Sequence, residues 1–236
     1  MKQANDLNSE SLIRITRYLM LYASSISNPG LLNGKMGIVL FFYELGRYTR
    51  KKIYDNFAGE LLDEVCIEIN ESTPINFRDG LCGIGWGIEY LIRNGFVEAG
   101  TDEILEELDK RIIETDVRRM GDNSLETGLK GVASYVISRR WNRLNENPFI
   151  GRDYVADLID ALKKNENRDE ENLLLINDLE KILRKETIIQ PYNPILKIIN
   201  NTKYRIKSIF EKQPSLGICK NGLAGIGLQL MKIHIP

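Results

Sequence analysis

The sequence predicts an all-α fold, an α/α toroid of about five helix pairs, closed or partial, and three observations predict it. The first is a recurring motif, Gly-x-x-Gly-(Ile/Val) opening an apolar run: GKMGIVLFF from Gly34, GLCGIGWGI from Gly80, GLKGVASYV from Gly128 and GLAGIGLQL from Gly222. Its intervals of 46, 48 and 94 residues fit a period near 47, with one repeat that has lost its glycines near Asn172 to Leu183. The second is the set of amphipathic stretches between motifs, such as Leu12, Ile15, Leu19 and Tyr22, or Ile104, Leu105, Leu108 and Ile112, whose spacing is helical. The third is the placement of the seven prolines: six lie outside these stretches and Pro194 stands in a first turn, where a missing N–H is harmless.

In chain order the expected helices are 8–27 with 36–48, 52–69 with 81–94, 101–119 with 129–142, 151–165 with 169–185, and 193–211 with 222–234. Pro29, Pro74 and Pro214 sit in connections ahead of three glycine motifs, and the run Lys163 to Glu171 reads as a solvated connection. The basic cluster Arg47, Arg50, Lys51 and Lys52 reads as a turn at a helix C-terminus. The first glycine of each motif is expected to adopt positive φ and turn the chain into the helix, and the second to let another helix approach. Apolar residues four and eight positions after the first glycine, Ile38 and Phe42, Ile84 and Ile88, Val132 and Val136, Ile226 and Leu230, should form a buried stripe. Pairs of this kind stack side by side, and curvature gathers the inner-helix N-termini around a common centre. One domain over 1–236 is expected, since no shift of composition marks a boundary.

Composition narrows the chemistry. The 236 residues are 43% apolar, enough for a core, and 32 basic against 33 acidic side chains leave a net charge of -1, which argues against nucleic-acid or anionic-membrane partners. The single histidine, His234, makes a histidine-based nucleophile triad improbable. Cys66, Cys82 and Cys219 are odd in number and lack a CxxC pair, so reduced thiols are expected rather than disulfides or a zinc ribbon. With no secretory cleavage pattern and no long apolar run, the expected location is the cytoplasm.

Four motifs in register, covering Gly34 to Met231, resemble the lanthionine synthetase C-like (LanC-like) family, which repeats Gly-x-x-Gly-(Ile/Val) at the inner helices of an α/α toroid. The resemblance implies thioether ring formation, in which a zinc-activated peptide cysteine adds to a dehydrated serine or threonine. Active members carry Cys-His immediately before one repeat glycine and a further cysteine in the same place ahead of another. Here those places hold Leu32-Asn33, Arg78-Asp79, Glu126-Thr127 and Lys220-Asn221, with Cys219 one residue early and Cys82 inside its motif. His234 lies 12 residues beyond Gly222, about 18 Å along a helix. The implied activity therefore becomes that of a degenerate relative that binds a precursor peptide. No cofactor is expected, zinc being the alternative.

The candidate contact residues are Asn33, Asp79, Thr127 and Asn221, polar in every copy and read either as helix N-caps or as cavity-lining groups, together with Cys82 and Cys219, read either as small buried thiols or as ligand contacts. Two other function classes remain open. One is a carbohydrate-active toroid using Asp79 and Glu126 as paired acids; the other is a non-enzymatic helical-repeat interaction module. Trp86 and Trp141 could stack a ring, although tryptophans on inner helices usually serve the core. A second copy completing the toroid is a further expectation.

Overall fold

A computed structural model describes residues 2–98, 101–141, 149–164, 169–200 and 214–231, and every regular element among them is helical. The helices are α1 (Lys2–Tyr22), α2 (Lys35–Thr49), α3 (Lys52–Glu68), α4 (Leu81–Arg93), α5 (Thr101–Ile113), α6 (Leu129–Arg140), α7 (Arg152–Lys164), α8 (Glu170–Arg184), α9 (Pro194–Asn200) and α10 (Leu223–Leu230). The expected order is reproduced. Two helices depart from their patterns: α1 begins before residue 8 and ends at Tyr22, short of 27, where a 3-10 turn, Ala23–Ser25, takes over, and α5 stops at Ile113, where Asp116 opens a separate 3-10 turn, Val117–Arg119, by accepting from the Arg118 N–H at 3.2 Å. The remainder of the expected 193–211 and 222–234 helices, His234 included, lies outside the described residues.

Two compact units make up the chain, one from Met1–Ser72 with Ile195–Ile235 and the other from Thr73–Pro194. In the first, α2 packs along α3 and α10, and α1 along α10. In the second, α4, α6 and α8 lie side by side in that order, with α5 against α4 and α7 touching both α6 and α8. Outer and inner helices differ as their sequences require. The α3 helix buries only the single stripe Ala58, Leu61 and Val65, whereas α2, α4 and α6 are buried on every side over Lys35–Gly46, Leu81–Leu91 and Leu129–Arg139. The expected stripe is buried except at its last member, Leu230, which is half-exposed. Each aliphatic side chain so enclosed contributes about 1.5–3 kcal/mol.

The glycines act by a different route from the one expected. Gly34, Gly80 and Gly128 have φ of -120°, -127° and -119°, which any residue adopts. A Cβ there would strike the carbonyl oxygen of Asn28, Pro74 or Asp122, each six residues upstream. The second glycine likewise gives room to a loop rather than to a helix: a Cβ on Gly37 or Gly131 would strike the Leu31 or Leu125 carbonyl. A neighbouring helix is admitted instead at Gly85, which lies against the Tyr135 ring of α6, at Gly227, which lies against the Phe41 ring of α2, and at Gly46, which lies against Asp55 of α3.

Candidate functional site

Each glycine-started helix is preceded by a loop that folds back over its end and satisfies the free N–H groups with main-chain carbonyls. Lys35 and Met36 donate to Asn28 and Pro29 at 2.9 and 3.2 Å, Leu81 and Cys82 to Pro74 and Ile75 at 2.8 and 3.1 Å, and Leu129 to Asp122 at 2.9 Å. Leu223 and Ala224 donate to Ser215 and Leu216 at 2.9 and 3.0 Å. The N-cap reading of Asn33, Asp79, Thr127 and Asn221 is therefore corrected. The glycine itself is the N-cap in all four copies, with no side-chain cap bond, because the loop carbonyls already fill that role. Side-chain capping occurs instead at α8, in the repeat without glycines, where Asp169 accepts from the Asn172 N–H at 2.8 Å.

Freed from capping, the polar residues stand at the loop tips. In the second unit Asp79 is half-buried and Thr127 exposed. The Arg78 guanidinium bridges Asp79 at 2.9 Å and Glu126 at 3.4 Å. One guanidinium thus joins the two carboxylates proposed for a carbohydrate hydrolase, and it occupies the space between them that a scissile bond would need. The Thr127 hydroxyl donates to Asp122, which also accepts from the Ser124 N–H at 2.7 Å, and these bonds hold the Asp122 carboxyl below its usual range. In the first unit Asn33 is half-buried and Asn221 exposed. In its first turn each glycine-started helix of repeats one and three also sets a lysine into a carboxylate pair: Lys35, the first residue of α2, with Glu64 and Glu68, and Lys130, the second of α6, with Asp169 and Glu171. The sequence reading passed over both lysines, because a single lysine beside an apolar run carries no sign that it will be buried.

The cysteines occupy unlike places. Cys82 is fully buried, and burial pushes its thiol well above the usual range, which makes it a packing residue rather than a contact. Cys219 is half-buried, with its sulfur 2.9 Å from the Ser215 hydroxyl. The loop carrying it is one residue longer than the others, and Asn221 absorbs the extra residue in the left-handed region at φ 67°. Cys219 consequently falls into the register of Arg78: its N–H donates to the Leu32 carbonyl at 2.8 Å, as the Arg78 N–H donates to Glu126 at 2.9 Å. The displacement seen in the sequence is thus removed by the fold. Zinc nevertheless needs three or four sulfur, nitrogen or carboxylate donors. The loop facing Cys219 offers Leu32 and Asn33, and among the described residues no three His, Cys, Asp or Glu side chains come together to hold an ion. The donor set does not fit zinc.

The two tryptophans do converge. Trp86 and Trp141 line one cavity of about 450 Å³ beside the C-terminal halves of α4 and α6. Spacing alone could not show this, since Trp141 lies just past the end of its helix.

Residues 25–181, about two thirds of the chain and three of its four glycine motifs, match the family model described as lanthionine synthetase C-like protein. No curated protein matches the chain. The all-helical architecture and this match agree on the α/α toroid class. Among the described residues no helix is long and apolar enough to cross a membrane.

Proposed function

The chain belongs to the lanthionine synthetase C-like family, and we propose that within it this protein is a peptide-binding relative in peptide maturation rather than a zinc-dependent cyclase. The observation that carries this reading is the content of the loop tips. Where thioether chemistry asks for thiolate and imidazole donors together, the tips present one thiol, Cys219, and otherwise Asn33, Arg78, Asp79, Glu126, Thr127 and Asn221, which are amide, guanidinium, carboxylate and hydroxyl groups. Groups of this kind hydrogen-bond peptide main chain and polar side chains. They rest on loops fixed through their own carbonyls, so binding need not first order the loop.

The reading is tested by selecting binders from a displayed peptide library on the wild-type protein and measuring their affinity for variants. Thr127→Ala, Asn221→Ala and Arg78→Ala are expected to weaken binding several-fold each, while the exposed outer-helix change Glu107→Ala leaves it unaltered. Binding that survives all the loop changes and is lost on outer-helix changes removes the proposal. Near-stoichiometric zinc in the purified protein, released by Cys219→Ala, would replace it with the cyclase.

A further inference from the structure

Beyond the loop tips, we propose that the cavity between α4 and α6 binds a neutral, planar aromatic group bearing one hydrogen-bonding substituent, with a phenol as the simplest example. Its volume of about 450 Å³ lies within the range of small-ligand sites. Trp86, Tyr90, Trp141 and Tyr192 supply aromatic walls, and each is held in place. Trp86 stacks on Tyr90 with ring centroids 5.6 Å apart. The Trp141 indole N–H donates to the Ile188 carbonyl at 2.8 Å, while Tyr192 is fixed by its hydroxyl on Glu171 and its N–H on Asp178. Such walls present fixed faces to a ring, which binds by offset or edge-on stacking.

Two further features define the ligand. The charges at the cavity are matched internally: Arg93 lies over Trp141 and pairs with Glu89 at 3.5 Å, and Glu89 in turn receives Arg139 at 3.0 Å. A charged ligand would have to break one of these pairs, so a neutral one is preferred. Ser138 is the exception to this saturation. It lines the cavity and is more than nine-tenths buried, and its hydroxyl has no hydrogen-bond partner in the protein. One turn earlier Ser134 donates to the Lys130 carbonyl at 2.8 Å, the usual arrangement for a helical serine. A buried hydroxyl left unmated is destabilising until a ligand supplies the partner.

The test uses the protein's own reporter, since its only two tryptophans both line the cavity. Under tryptophan-selective excitation, N-acetyl-tyrosinamide should shift the emission saturably and N-acetyl-leucinamide should not. Ser138→Ala should weaken the tyrosine amide about 2–10-fold and leave N-acetyl-phenylalaninamide unchanged. Should that variant fail to fold, the wild type alone must still bind the tyrosine amide more tightly than the phenylalanine amide. A tyrosine-containing pentapeptide and p-cresol then separate the sources: tighter peptide binding assigns the ring to a polypeptide, tighter p-cresol binding to a small molecule. The proposal is overturned by no saturable change up to about 10 mM probe, by an equal response to the leucine amide, or by a folded Ser138→Ala that does not separate the two aromatic amides.

Discussion

The pair α10 and α2 and the pair α4 and α6 share a plan and differ in how it is completed. In both, a glycine of the first helix receives an aromatic ring from the second, Phe41 on Gly227 and Tyr135 on Gly85. In both, an apolar residue of the first loop packs on the second motif glycine of the partner helix, Ile218 on Gly37 and Phe77 on Gly131. The difference begins half a helix further on. Counted from their own first glycines, the places of Ser134, Ser138 and Arg139 on α6 are held by Leu40, Glu44 and Leu45 on α2, and the place of Trp86 on α4 by Leu228 on α10. One pair packs leucine at three of these four places, with Glu44 at the fourth, where the other builds an aromatic cavity over a buried ion network. The frame that sets the helices is therefore separable from the residues that give the interior its chemistry.

The strongest way to test that contrast is to carry one pair's residue into the other. Arg139→Leu removes the guanidinium shared by the buried Glu89 and Asp109 carboxylates, leaving Glu89 only its longer pair with Arg93, and a loss of about 3–5 kcal/mol is expected in urea unfolding. A loss below about 1 kcal/mol would mean that the network is not what distinguishes the α4 and α6 pair. The shared frame is probed by Gly34→Ala and Gly128→Ala, whose methyl groups would strike the Asn28 and Asp122 carbonyls. Each should cost about 1–3 kcal/mol, and similar costs support a common plan.

Alkaline unfolding bears on the two buried lysines. Burial alone would lower the Lys35 ammonium, but its hydrogen bonds to Glu64 and Glu68 outweigh this, and Lys130 is raised in the same way by Asp169 and Glu171. A raised folded value means that the stability is whole below the ordinary lysine range and lost as pH rises through the raised one. Lys35→Met and Lys130→Met should therefore both flatten the fall of Tm between about pH 10 and 12. A response from only one of them would separate the units. The smallest effect is expected at the added residue of the fourth loop: Asn221→Gly relieves its left-handed backbone and should stabilise by about 0.5 kcal/mol.

Much of this architecture was legible because periodicity reports burial directly. The glycine intervals and the apolar positions Ile84 and Ile88, or Val132 and Val136, gave the order of the helices and the inner faces of α2, α4 and α6. What could not be read is whatever depends on main chain meeting main chain. Nothing in the string Asn28 to Gly34 says that one carbonyl lies on a glycine six residues later, so the sequence suggests positive φ for the glycines and leaves capping open beside cavity lining for their polar neighbours. Cys219 was misregistered for a related reason, since a one-residue insertion is absorbed by the φ of Asn221, which no side-chain pattern displays. The convergence of Trp86, Trp141 and Ser138 depends on how α4 and α6 pack, a relation between segments far apart in sequence.

The capping of these helices by loop carbonyls has a consequence for how such a protein can change. The bonds that tie each loop to its helix end are made by backbone atoms every residue supplies, and side-chain identity is required at the glycines and at the loop residues Asn28, Asn76 and Asp122, whose side chains accept main-chain N–H groups within the loop. Residues 33, 78, 79, 126 and 220, at most half-buried, can thus be exchanged one at a time without unmaking the turn beneath them. A scaffold of this kind can be retooled at its tips by single substitutions, shedding one chemistry and acquiring another while the same helices continue to stand.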